Sequence, residues 1–166
     1  MKGPFLIPLV SIAIFCGIAS AQEPQDIKDA PTCMHCSMKR TQYAHTRVLI
    51  EYDDGTQAGA CSIYCAAIDL AINLDKTPKA IRVGDYYSKE LIDAEAAYWV
   101  IGGTKIGVMT KRGKWAFLGK KDAERFMSQN GGKMGAFDDA LRATYEDMYA
   151  DSKMIRGKRR IKRMQN

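Results

Sequence analysis

The sequence lacks the residue patterns of the common enzyme classes. No serine-nucleophile motif, carboxylate dyad or phosphate-binding loop stands out among its 166 residues. The apolar stretch near its start, Phe5 to Ile18, is shorter than the ~20 residues that a membrane-spanning helix needs. Hydrophobic residues at 46% and charged residues at 27% are typical of a globular protein and not of a disordered one. We therefore expect a folded protein that is not an enzyme, of one ordinary domain or two very small ones.

The first 21 residues have the pattern of a cleavable signal peptide. Lys2 gives a positive start, the apolar stretch follows, and Ala19-Ser20-Ala21 supplies the small residues that a signal peptidase recognises. The pattern predicts cleavage after Ala21 and export to the periplasm or another extracytoplasmic compartment, with a retained membrane anchor as the alternative. Lipid attachment at Cys16 is disfavoured, because Phe15 stands where a lipoprotein signal has a small residue.

Acidic residues are absent from the C-terminal segment 153–166, which carries seven basic ones. These are Lys153, Arg156, Lys158, Arg159, Arg160, Lys162 and Arg163. Because the net charge of the whole chain is +6, the remainder is close to neutral at −1, and the basic balance does not indicate a nucleic-acid-binding domain. Residues 151–166 are predicted to form a solvated, disordered basic tail. Contact with an anionic membrane surface or an acidic partner is the alternative.

Between these ends, the pattern predicts an α+β fold of two small units. Residues 22–32 are polar, contain two prolines and are interpreted as an extended linker. In residues 33–90, alternating apolar residues around the turn signal Asp54-Gly55 predict a hairpin, followed by a helix from Ser62 and a short strand. Residues 91–150 give the order strand, strand, helix, strand again and add a final helix.

The two units also align at a few positions, which suggests a duplication. Gly55 and Ala58 before the first helix correspond to Gly113 and Ala116 before the second. In the second unit, the segments "KIGVMT" and "GKWAFLG" are predicted as strands on either side of a turn at residues 111–114. We therefore predict two related ββαβ units.

Four cysteines remain after removal of the signal peptide. They are Cys33, Cys36, Cys61 and Cys65, spaced as C-x2-C, then 24 residues, then C-x3-C. The first pair lies in a loop before the hairpin, and the second pair lies at the start of the helix, four residues apart on one face. This order is typical of treble-clef metal sites, in which four sulfurs surround one ion. Two structural disulfides and a catalytic thiol–disulfide pair are the alternatives.

The segment "CMHCSM", residues 33–38, favours copper over zinc. Cys36 and Met38 project to the same side of an extended segment, and a thioether is a soft ligand that suits Cu(I). Zn(II) is the alternative, since it needs only cysteine and histidine. His35 lies in the same segment and is a candidate ligand, whereas His45 is interpreted as a half-buried strand residue.

Together, "CMHCSM", "YDDGTQAGACSIYC", "AAYWVIGGTKIGVMT" and "KWAFLGKKDAERFMSQNGGKMGAFDDAL" resemble the NosL family over residues 30–142. The resemblance implies two related ββαβ units, Cu(I) binding, and delivery of copper to the catalytic centre of nitrous oxide reductase or another copper-receiving protein. It also implies that Cys36 and Met38 are ligands and makes Met109, in the second unit, a candidate for a third if the two units face each other; a packed strand methionine is the alternative for Met109. The chain departs from the family at Ser37, where glycine is usual, and in its additional cysteines.

Two other functions stay open from the sequence alone. Cysteines that hold zinc or form disulfides would stabilise an interaction module. A thiol-based enzyme, either a disulfide oxidoreductase or a relative of organomercurial lyases, would need a reactive thiol and a separate general acid, and no such acid is evident near the cysteines.

Overall fold

The computed structural model of the protein describes residues 23–165, so the predicted signal peptide and its cleavage site lie outside the described residues. The helices of the described part are α1 (Gln25–Asp29), α2 (Ile63–Ile72), α3 (Lys120–Asn130) and α4 (Phe137–Met164). Its strands are β1 (Val48–Tyr52), β2 (Gln57–Ala60), β3 (Pro78–Gly84), β4 (Leu91–Asp93), β5 (Tyr98–Ile106), β6 (Arg112–Phe117) and β7 (Lys133–Gly135). Among these helices, none combines the length and the apolar character that crossing a membrane requires.

The first sheet has four antiparallel strands in the order β2-β1-β3-β4. Its first two strands are the predicted hairpin, and Gly55 in the turn has a φ of +82°, a conformation that side chains disfavour. α2 begins shortly after β2, with Ser62 at the N-cap position, although the Ser62 side chain makes no capping hydrogen bond. The predicted hairpin and the helix after it are confirmed.

The second sheet has three antiparallel strands in the order β6-β5-β7. α3 follows β6 and ends at Gly131, whose φ of +71° suits a residue without a side chain. The order strand, strand, helix, strand thus occurs once in β1–β3 with α2 and once in β5–β7 with α3. The predicted α+β class is confirmed.

One hydrophobic core joins the two sheets. Ile50 of the first sheet, Trp99 of the second sheet and Phe137 of α4 belong to the same buried cluster, and three of the cysteines belong to it as well. A smaller aromatic cluster, built around Trp115 and Phe126, packs α3 against the second sheet. Cys33, Cys61 and Cys65 therefore lie in the main core of the protein, and Cys36 is partly buried and packs against it.

The described part of the predicted linker, residues 23–32, is not extended as the sequence predicted. Residues 25–29 form α1, whose Ile27 is buried. Asp26 forms ion pairs with the buried guanidinium groups of Arg40 and Arg47. The two buried guanidinium groups require a carboxylate partner because they are removed from water. Their pairing with Asp26 stabilises α1, which is too short to form a stable helix by itself.

The prediction of a disordered basic tail at residues 151–166 was also wrong. α4 runs without interruption from Phe137 to Met164, so the basic residues are helical. The segment contains no proline, and its many arginine, lysine and methionine residues are good helix formers. Gly157, a poor helix former, does not end the helix.

Candidate metal centre

The four cysteines come from three adjacent parts of the first unit. Cys33 and Cys36 lie in a turn closed by a bridge between Thr32 and Lys39. Cys61 directly follows β2, and Cys65 lies in the first turn of α2. Because the hairpin returns the chain to the start of α2, Cys36 and Cys61, 25 positions apart in the sequence, meet here.

Backbone hydrogen bonds fix the shape of the turn that holds the first pair. The Cys33 N–H donates to the Met38 carbonyl at 2.8 Å, and the Ser37 N–H donates to the Cys33 carbonyl at 2.9 Å. Ser37 has a φ of +61°, in the left-handed region that favours glycine. The Met34 N–H donates to the Gly59 carbonyl at 3.1 Å, which ties the turn to β2 beside Cys61.

The four sulfur atoms are close enough to bind one ion. All four lie within 4.8 Å of one another, with 3.5 Å between the sulfurs of Cys36 and Cys61 and 3.7 Å between those of Cys61 and Cys65. A tetrahedral site with metal–sulfur bonds of ~2.3 Å has sulfurs ~3.8 Å apart. The observed distances thus fit a four-thiolate site, and all four residues are free cysteines, so no disulfide is formed.

Burial makes the site asymmetric. Cys33, Cys61 and Cys65 are at most 2% exposed, whereas Cys36 is only partly buried. An ion held by the group would therefore be enclosed on three sides and reached from the side of Cys36.

The protonation of the thiols is also uneven. Hydrogen bonding with Cys65 outweighs burial and lowers the pKa of Cys61 to about 6. Burial raises the pKa of Cys36 to about 11, and the hydrogen bond with Cys61 together with burial raises the pKa of Cys65. Near neutral pH, Cys61 is the preferred thiolate of the group. Since thiolates are the ligand form, metal binding would release protons from the other members.

His35 does not belong to the four-sulfur group. Its Nε2 lies 2.8 Å from a carboxylate oxygen of Asp69, which is buried on α2 and is also hydrogen-bonded by Tyr52 and Asn73. The structure therefore places His35 in a polar network beside the thiols and gives it a partner other than a metal. His45 is half-buried, as predicted, but it lies in a turn before β1. There its ring stacks on that of Trp115, with 6.0 Å between the ring centroids.

The two candidate thioether ligands occupy different positions. Met38 is partly buried and packs against the core cluster that contains the thiols. Met109 is 42% exposed and has a φ of +65°. The prediction that "KIGVMT" forms a strand is only partly correct, because β5 ends at Ile106 and the next residues form the turn to β6.

The turn that carries Met109 is held in place from α4. Thr110 and Arg112 both donate to the Asp147 carboxylate at 2.9 Å, and Lys114 also pairs with Asp147. Val108, next to Met109, packs against the core cluster of the cysteines. Met109 thus lies in a fixed turn whose neighbouring residue, Val108, packs against the main core.

Sequence reasoning missed the polar residues that surround the thiols. Arg40 donates to the Ala60 carbonyl at 3.3 Å, next to Cys61, and Thr46 donates to the Cys61 carbonyl at 2.9 Å. Arg40 and Arg47 both precede the first strand, and no local pattern marks either of them as buried. Their partner, Asp26, lies in the segment that was interpreted as a linker.

The fold and this site define a small α+β protein with a four-cysteine group that could bind a metal ion. A profile of the NosL family matches residues 24–145, so the chain belongs to the NosL family. Among solved structures it is similar to the copper chaperone NosL from Shewanella denitrificans, at 25% sequence identity and a TM-score of 0.58, over 70% of this chain and 93% of that one. No curated protein matches the chain.

Proposed function

We propose that this protein is an exported Cu(I)-binding metallochaperone that delivers copper for assembly of the catalytic centre of nitrous oxide reductase. The observation that carries the proposal is the group of four sulfurs within 4.8 Å, with Cys36 at its open side. Thiolates and thioethers are soft ligands and prefer Cu(I). Family membership and the similarity to a copper chaperone support the same metal and the same role.

The asymmetry of the site suits transfer. A chaperone must bind copper tightly and still release it to an acceptor, so its ligands have to be replaceable one at a time. Cys36 is the accessible sulfur, and Met38 lies two residues further along the same turn. We infer that Cys36 and Met38 form the exchanging side of the site, with Met109 as a further ligand from the second unit. The buried thiols form the fixed side.

Competition with a chromogenic Cu(I) chelator tests the binding. Reduced, metal-free protein should take one Cu(I) from the chelator, and Cys36→Ala should weaken the binding by at least about tenfold, which corresponds to ~1.4 kcal/mol. Incubation of the copper-loaded protein with copper-free nitrous oxide reductase should then move copper into the enzyme and restore its activity. Unchanged affinity in Cys36→Ala, or no transfer to the reductase, would contradict the assignment.

A structural zinc site is the second candidate, because four thiolates in a tetrahedral group also suit Zn(II). Metal analysis of protein purified without added metal separates the two. One tightly held zinc that Cu(I) does not displace would support an interaction module instead of a chaperone.

Export is part of the proposal and is tested separately. N-terminal sequencing of the protein recovered from the periplasm should begin at Gln22, directly after the predicted cleavage site. Retention of residues 1–21 would instead indicate an anchor.

A further inference from the structure

The last part of α4 extends beyond the portion of the helix that packs on the protein. Thr144 is the last fully buried residue of α4, and every side chain from 152 to 165 is exposed. We call residues 153–164 the basic arm. It contains seven lysine or arginine residues and no acidic one. At 1.5 Å per residue it is ~18 Å long.

The charges of the basic arm are unpaired within the part of the chain that the structure describes. Salt bridges there use other residues, and none of the seven basic side chains of the arm takes part in one. A run of like charges repels itself and is costly to keep together in one helix without counter-charges. An external anionic partner would remove this repulsion.

The arginines share one face of the arm. Arg156, Arg159, Arg160 and Arg163 are spaced at i, i+3, i+4 and i+7, so they form a single stripe. A shallow surface depression is lined by these four arginines and Met164. Guanidinium groups bind phosphate oxygens through two parallel hydrogen bonds, which makes such a stripe suited to phosphate.

Large apolar side chains are also exposed along the same arm, and all of them except Met164 lie away from the arginine depression. Met154, Ile155, Ile161 and Met164 are 47–71% exposed. Met154 and Ile161 are seven residues apart and therefore lie above one another, roughly opposite the arginine stripe, with Lys158 between them. The long stems of the lysines beside them let the ammonium groups reach out of an apolar layer.

We propose that the basic arm lies on the surface of a membrane that contains anionic phospholipids. In this arrangement the apolar residues enter the boundary between headgroups and acyl chains, and the basic residues bind lipid phosphates. An acidic protein would explain the charge but would leave four exposed apolar residues spread around the arm without a role. A membrane accounts for both features.

Charge should dominate the binding, because four apolar residues give only a narrow apolar surface. One basic residue near an anionic surface strengthens binding by about fivefold. Salt should weaken it strongly, since the Debye length falls from ~10 Å at 0.1 M salt to ~3 Å at 1 M.

Vesicle sedimentation of the full chain tests the proposal. The probes are vesicles of phosphatidylcholine alone and vesicles in which about a third of the lipid is phosphatidylglycerol. We expect the protein to bind the anionic vesicles at least about tenfold more strongly, and the binding to weaken in 1 M salt. The variant R156Q/R159Q/R160Q/R163Q should lose at least about tenfold in affinity for the anionic vesicles.

A matched control removes the same charge elsewhere. K28Q/K79Q/K111Q/K121Q changes four exposed lysines outside the arm and, like the arginine variant, reduces the net charge from +6 to +2. It should keep most of the affinity for anionic vesicles, whereas M154Q/I161Q should lose part of it at unchanged charge. All variants keep residues 1–21, so any contribution of the N-terminal apolar stretch is common to them.

Equal binding to both kinds of vesicle would overturn the proposal. An equal loss of affinity for anionic vesicles in the arginine variant and in the lysine control variant would overturn it as well. An unchanged affinity in M154Q/I161Q would overturn the insertion of the apolar residues, and a failure of the natural chain to bind either kind of vesicle would overturn the proposal and favour an acidic protein as the partner. Circular dichroism of each variant, with a helix content equal to that of the natural chain, ensures that a lost helix is not read as lost binding.

Discussion

The guanidinium of Arg40 and the carboxylate of Asp26 form a buried ion pair, with Nη2 and Oδ2 2.9 Å apart. Arg40 also donates to the carbonyls of Ala30 and Ala60, which precede the two cysteine-bearing segments. One side chain thus links α1, the approach to the "CMHCSM" turn and the end of β2. Gly59 makes room for it, because a Cβ there would lie 3.0 Å from an Arg40 nitrogen. The ion pair therefore stabilises the positions of the two segments that carry the cysteines.

Removing the carboxylate should destabilise the protein strongly. Asp26→Ala leaves Arg40 and Arg47 buried without their counter-charge, and breaking a buried pair in this way costs about 3–5 kcal/mol. Denaturant unfolding of the metal-free protein measures the change. Asp29→Ala, at an exposed position in the same helix, should change the free energy of unfolding by less than ~0.5 kcal/mol. A loss of under ~1 kcal/mol in Asp26→Ala would show that the pair is not important for stability.

The same pair should make stability depend on pH in the acidic range. Burial alone would raise the pKa of Asp26, but hydrogen bonds and charge attraction from Arg47 and Arg40 outweigh it, so the pKa is lowered. A carboxyl whose pKa is lower in the folded state stabilises the protein above its unfolded-state pKa of ~3.9, and this contribution disappears as the pH falls through the folded-state value. The difference in unfolding free energy between the natural chain and Asp26→Asn should therefore shrink below about pH 4. A difference that stays constant down to lower pH would contradict this account.

The thiol group should titrate unevenly in the metal-free protein. Hydrogen bonding with Cys65 lowers the pKa of Cys61 to about 6. The ultraviolet absorbance of thiolates, followed against pH under reducing conditions, should show one thiolate forming near this value. Cys65→Ala removes the main cause and should move this titration to higher pH, whereas Ser62→Ala, which removes a weaker hydrogen bond, should move it less. Equal shifts in the two variants would mean that another group sets the pKa.

The meeting of the four cysteines could be predicted because local patterns determine it. A strong turn signal defined the hairpin, and the hairpin returns the chain to the helix that carries Cys65. Cys61 lies two residues before α2 and Cys65 lies in its first turn, so the start of the helix brings their sulfurs to 3.7 Å. Spacing and secondary structure were sufficient to predict this part of the site.

Other parts depend on contacts that local patterns do not contain. α1 is only five residues long and forms because Asp26 meets two arginines that follow it by 14 and 21 positions. In the basic arm two local signals oppose each other: the helix propensity of its residues favours a helix, whereas its run of like charge favours disorder. His35 was assigned to the metal because of its neighbours in the sequence, whereas its partner in the structure, Asp69, is 34 residues away.

His35 should matter more for stability than for copper binding. His35→Ala removes one hydrogen bond to the buried Asp69 carboxylate. The hydrogen bonds that Tyr52 and Asn73 donate to the same carboxylate remain. The expected loss in the free energy of unfolding is about 1–2 kcal/mol, because hydrogen bonds to charged groups are among the stronger ones. Cu(I) affinity should stay within about threefold of that of the natural chain, in contrast to Cys36→Ala. A tenfold weaker affinity in His35→Ala would make His35 a ligand after all.

Three methionines allow the thioether ligands to be identified by one conservative change. Met→Leu keeps volume and apolarity but removes the sulfur, so it should change stability by less than ~1.5 kcal/mol at each position. Met38→Leu should weaken Cu(I) binding by at least about tenfold, because Met38 lies in the turn that carries Cys36. Met109→Leu should weaken it as well if the turn after β5 contributes a ligand. Met34→Leu is the matched control, since Met34 is 60% exposed within the same "CMHCSM" segment, and it should leave the affinity unchanged.

Chelator competition gives the three affinities, and X-ray absorption of the copper-loaded variants reports the number of sulfur ligands. Equal affinities in all three variants would show that copper is bound by the cysteines alone.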